Sequence, residues 1–65
     1  MAVIRISDTE TGTVYYVELY LRKRIVLTTW RERAQDYARY RAQQQAEQLQ
    51  ARMGPRFEIS VAENY

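Results

Sequence analysis

The side chains available for chemistry are few: Ser7, Ser60, several threonines, scattered carboxylates and one lysine, Lys23. The chain has no cysteine and no histidine, which removes thiolate and disulfide chemistry, imidazole bases and the usual transition-metal ligands. No serine stands in a nucleophile elbow, no glycine-rich run is built to cradle phosphate, and the two glycines stand alone at turns. Glu32 and Asp36 lie four residues apart and would share a helix face. A pair of exposed carboxylates falls well short of the six to eight or so oxygens around calcium, so it reads as a solvated face. The expectation is a protein that is not an enzyme and carries no cofactor and no metal.

Recognition chemistry remains. The stretch "LYLRKRIVL" sets three consecutive cations, Arg22, Lys23 and Arg24, between two strand-forming runs, and the run before it carries Tyr15, Tyr16 and Tyr20. Tyrosine tolerates half-burial and is enriched at interfaces. The candidate partner-binding residues are therefore Tyr16, Tyr20, Glu18, Arg5, Arg22, Lys23 and Arg24.

Ten basic residues against eight acidic ones give a net charge of +2, too small to imply a polyanionic partner unless the charges cluster. All the basic residues except Lys23 are arginine. That bias fits either contact chemistry with carboxylate or phosphate, or the codon usage of a GC-rich genome. The opening "MAVIRIS" lacks the continuous apolar core of a secretory signal, and Glu18 breaks the best hydrophobic run, Val14 to Leu21. The expectation is a cytoplasmic protein with no membrane partner. Sixty-five residues make a single domain near the lower size limit for folding without staples, so self-association would help it.

The elements that must position these side chains follow from periodicity. "AVIRI" (2 to 6) predicts a first strand, closed by the turn residues of "SDTETGT". "TVYYVELYL" (13 to 21) alternates in the manner of a second strand, with Tyr15, Val17, Leu19 and Leu21 on one face. "RIVLT" (24 to 28) makes a third, with Ile25 and Leu27 on that face. A capping box of Thr29 and Glu32, with Gly54 and Pro55 at the other end, predicts one helix over about 30 to 53. Its apolar stripe is Ala34, Ala38, Ala42, Ala46, Leu49 and Met53, with Trp30 and Tyr37 at the margin. "RFEISVAE" (56 to 63) supplies a last strand. The fold class is α+β: a single small β-β-β-α-β domain, a mostly antiparallel sheet with one long helix on one face.

Strict alternation assigns Ile4, Ile6, Tyr15, Val17, Leu19, Ile25, Leu27, Phe57, Ile59 and Val61 to the helix side. It leaves Val3, Arg5, Val14, Tyr16, Glu18, Tyr20, Val26, Thr28, Glu58 and Ser60 on a face that one helix cannot cover. A helix of about 24 residues is about 36 Å long, against about 17 to 27 Å for the strands, so part of it would overhang. A second copy of the chain is the simplest cover, and a homodimer is expected. The same alternation favours a three-residue connection, Arg22 to Arg24, between strands two and three, an awkward turn without glycine.

The uncovered face suits a protein partner better than a nucleic acid. Glu18 and Glu58 share it, and the helix arginines point around the whole circumference rather than along one stripe. A small nucleic-acid-binding protein using the basic tip and the tyrosines is the alternative. In size and element order the chain resembles small phage- or mobile-element-encoded proteins, among them anti-CRISPR proteins and phage inhibitors of host RNA polymerase. That resemblance implies an inhibitor that docks on a larger complex, and it assigns no residue.

Overall fold

The computed structural model describes residues 1–63. Four strands, β1 (Ala2–Asp8), β2 (Val14–Leu21), β3 (Arg24–Thr28) and β4 (Phe57–Glu63), form one antiparallel sheet in the order β3-β2-β1-β4. A 3-10 turn at Arg31–Arg33 and a single helix, α1 (Arg39–Met53), lie between β3 and β4. The chain is a small α+β domain with one helix against one sheet face.

The helix packs over β1 and β4, the inner strand and the edge strand it precedes. Ala42, Ala46 and Leu49 are buried against Ile4, Ile6 and Val17, with Ala2 and Tyr37 closing the cluster. The two alanines let α1 approach the sheet closely. Most of the apolar stabilisation then comes from Ile4, Ile6, Leu49 and Val17, each worth about 1.5 to 3 kcal/mol when fully buried.

The helix is shorter than the sequence predicts. Residues 30 to 38, expected as its first turns, are instead an irregular segment tied to the sheet. Tyr37 and Ala2 exchange two backbone hydrogen bonds of 2.8 Å, and the Gln35 N–H donates to the Val17 carbonyl at 2.9 Å. Ala34 and Ala38 are extended, with ψ of 138° and 143°. The capping box does not form; the Thr28 hydroxyl accepts from the Trp30 N–H instead, at 3.1 Å. A capping interaction is worth about 0.5 to 2 kcal/mol. Burying the Tyr37 ring and pairing three backbone groups outweighs it. The fifteen residues of α1 span about 22 Å, within the reach of seven- and eight-residue strands, so no helix overhangs.

The second difference lies in β2. Its register with β3 pairs Val17 with Leu27, then Leu19 with Val26, so that Glu18 is an extra residue, a β-bulge. Beyond it the faces exchange: Tyr20 pairs with Ile25 and packs on the helix side, while Leu19 and Leu21 share a face with Val26 and Arg24. The bulge also corrects the turn. Leu21 pairs with Arg24, so the connection is the two residues Arg22 and Lys23 rather than three, and among the described residues no non-glycine has positive φ. Primed turns need positive φ and ordinarily match strand twist. Here the bulge supplies additional local twist instead.

A glutamine joins the helix to the last strand. The Gln50 side-chain N–H donates to the carbonyls of Gly54 (3.1 Å) and Phe57 (2.7 Å), and its oxygen accepts from the Ile59 N–H (3.1 Å). Gly54, at φ 83° and ψ −176°, occupies a region that favours glycine and lets the chain turn from α1 into β4.

Candidate binding surface

The sheet face away from α1 is organised around a row that crosses all four strands: Ser60, Arg5, Tyr16 and Thr28. Arg5 is exposed and Tyr16 half-buried. The Arg31 guanidinium lies 5.9 Å from the Tyr16 ring centroid, and its Nη2 donates to the Glu63 carbonyl at 2.5 Å. It therefore spans the end of the face where Val3 sits, which is fully buried although it points away from the helix. Arg31, an exposed residue of the 3-10 turn, had no sequence signal marking it for this role.

The other end of this face belongs to the β2-β3 hairpin. Leu19, Leu21 and Val26 continue the surface from Val14 and Tyr16, and none of the five packs against the helix-side core. Leu21 is 53 % exposed. Arg22, Lys23 and Arg24 stand exposed at the tip. The result is a half-exposed apolar strip with cations at its end and at its flank.

The expected binding residues thus divide. Tyr16, Arg5 and Arg24 lie on the uncovered face, Arg22 and Lys23 form its tip, and Glu18 is the bulge residue between its two halves. Tyr20 does not join them. Its ring packs beside the core, and its hydroxyl meets the Gln48 amide oxygen of α1 at 3.5 Å. Leu19 and Leu21 take its place, against the expectation that they face the helix.

Elsewhere the charged groups serve the fold. The nearly buried Asp8 carboxylate is gripped by the Arg56 guanidinium through contacts of 3.1 and 2.9 Å, and it accepts from the N–H groups of Glu10 (2.9 Å) and Thr11 (3.4 Å). Arg56 holds this carboxyl at about 2, against its ordinary 3.8; burial opposes the shift and the backbone donors add to it. Arg56 also pairs with Glu10 at 2.6 Å, and Arg39 pairs with Glu63. These contacts fasten the β1-β2 loop and the start of α1 to the two ends of β4. Burial pushes the Tyr37 phenol up, and its hydroxyl donates to Gln35 at 3.0 Å. Glu32 sits in the 3-10 turn and Asp36 beyond it, so the two do not share a helix.

The described residues enclose no pocket and gather no group of three His, Cys, Asp or Glu side chains. No helix among them is long and apolar enough to cross a membrane. No protein-family model, curated protein or solved structure matches the chain.

Proposed function

We propose that this chain is a small non-enzymatic binding protein that docks, as a homodimer, onto a larger protein through its uncovered sheet face. The observation that carries the reading is the bulge at Glu18. It turns Leu19 and Leu21 away from the helix to lie with Tyr16, Val14 and Val26. An apolar centre with tyrosine, edged by Arg5, Arg22, Lys23 and Arg24, has the make-up of a protein-binding patch. The complementary partner has an apolar site with acidic residues around it. Inhibition of a host assembly by a phage- or mobile-element-encoded protein is one form of such docking, and it rests on the resemblance in size and element order alone.

Tagged wild-type protein should capture a discrete partner from a lysate of its source cells, and Tyr16→Ala and Leu21→Ser should each lose that partner while keeping the native circular dichroism spectrum. Equal capture by folded variants would reject this face.

A nucleic-acid reading draws on Arg5 and Arg31 flanking Tyr16 on an open sheet. Base stacking needs a free aromatic face, however, and the Arg31 guanidinium already lies over Tyr16. Glu58 also shares this side of the sheet. Titration of labelled single- and double-stranded oligonucleotides separates the readings: phosphate contacts would give affinity that falls steeply with salt.

A further inference from the structure

The two edges of the sheet are not equivalent. On β4 the side-chain amide of Gln50 occupies the outward carbonyl of Phe57 and the N–H of Ile59 as a neighbouring strand would, and Arg31 takes the Glu63 carbonyl. On β3 nothing comparable is present among the described residues. In a two-residue hairpin the closing pair, Leu21 and Arg24, exchanges its ladder bonds inward. Val26 and Thr28 follow with the same parity, so the backbone groups of Ile25 and Leu27 point outward. Among the described residues no loop or cap bond reaches either of them.

We infer that the β3 edge pairs with the β3 edge of a second copy, antiparallel about a two-fold axis at Val26, giving a continuous eight-stranded sheet. This deepens the homodimer part of the proposed function and does not depend on the docking partner. The register is self-complementary. Ile25 of each copy falls opposite the partner's Leu27, the outward groups of both residues meet, and four ladder hydrogen bonds form.

Side chains agree with that register. Ile25 and Leu27 lie on the helix side, half-buried on a part of the sheet that α1 does not cross, and a second copy extends this row by the same two residues. Arg24 falls opposite the partner's Thr28, so cation does not meet cation. The two Arg24 residues are offset by four positions, about 14 Å along the strand, beyond the roughly 8 Å screening length at physiological salt. The basic tip of each copy comes level with the end of the partner's β3, where Trp30 stands 61 % exposed. An exposed indole is a good seat for a guanidinium. On the uncovered face the two Val26 side chains meet at the axis and join the two apolar strips into one.

The chain has no cysteine, so a single introduced thiol reports this geometry without background. A non-hydrogen-bonded antiparallel pair has its Cα atoms about 4.5 Å apart, within disulfide range. Val26→Cys, mildly oxidised at tens of micromolar, should convert to covalent dimer at least about tenfold faster than Ser60→Cys, on the same face but near the other edge. Light scattering on the wild-type protein should give the mass of two chains. A wild-type dimer in which Val26→Cys links no faster than Ser60→Cys overturns the β3 interface and leaves the homodimer standing; a wild-type monomer without preferential linkage overturns both. If Val26→Cys loses its native circular dichroism spectrum, an equimolar mixture of Arg24→Cys and Thr28→Cys tests the same register. Preferential mixed linkage then supports it and its absence overturns it.

Discussion

Gln50→Ala is the most informative perturbation of the fold, because one side chain forms three hydrogen bonds linking α1 to the edge of β4. Each such bond contributes about 0.5 to 1.5 kcal/mol net. The site is part-buried, so water can re-satisfy some of the freed backbone groups. The expected loss is therefore nearer 2 kcal/mol than the upper sum of about 4.5. A domain of 65 residues has about 3 to 10 kcal/mol of stability in all, so this loss is large. At about 4 to 8 °C per kcal/mol, the melting temperature should fall by about 8 to 16 °C. The assay is thermal and urea unfolding followed by circular dichroism, with Gln44→Ala as the exposed control on the same helix. A Gln50→Ala melt within about 2 °C of that control would refute the reasoning, since it would leave under about 0.5 kcal/mol for all three bonds. Gln50→Leu should be no milder, because it fills the space without restoring the bonds.

The acid limb of stability should depend on Asp8. Its folded pKa is depressed, so the Arg56 contact stabilises fully above the ordinary value of 3.8 and is lost as pH falls through about 2. Asp8→Asn should flatten the melting temperature between those limits, and an unchanged slope would count against the ion pair. The bulge predicts opposite sensitivities for neighbouring residues: Tyr20→Ala should cost about 1 to 2 kcal/mol in urea unfolding, while Leu21→Ser should stay within about 0.5. Equal or reversed costs would restore unbroken alternation. Gly54→Ala should cost about 1 kcal/mol or more, measured in the same way, because φ of 83° is unfavourable for any residue with a Cβ.

Much of the fold was legible in the residues. β1, β3 and β4 follow from short β-branched runs bounded by turn chemistry, and the end of the helix from Gly54 and Pro55, because these signals act within a few residues. Ala42, Ala46 and Leu49 were visible as a helix stripe for the same reason. For the surface, alternation correctly assigned Arg5, Val14, Tyr16 and Val26, all of which lie before the bulge or on an unbulged strand. The glutamines offered no such signal: nothing local separates Gln50, which ties α1 to β4, from the exposed Gln43 and Gln44.

Tertiary structure decided the rest, wherever a local preference competed with a distant contact. Thr29 and Glu32 write a helix start, yet Ala2, 35 residues before Tyr37 in the chain, pairs with it, and Ala34 and Ala38 on either side take extended backbone instead of helical. The strand pattern of "TVYYVELYL" carries no mark at Glu18. A bulge is set by how β2 must pair with β1 on one side and β3 on the other, and no residue type announces it. From that one extra residue follow the two-residue turn, the helix-side position of Tyr20 and the outward leucines. The sequence by itself determined the four strands, the one helix and their order; only the assembled sheet determined where that helix begins and which face half of β2 presents, because facing is counted along a strand and one inserted residue inverts every position beyond it.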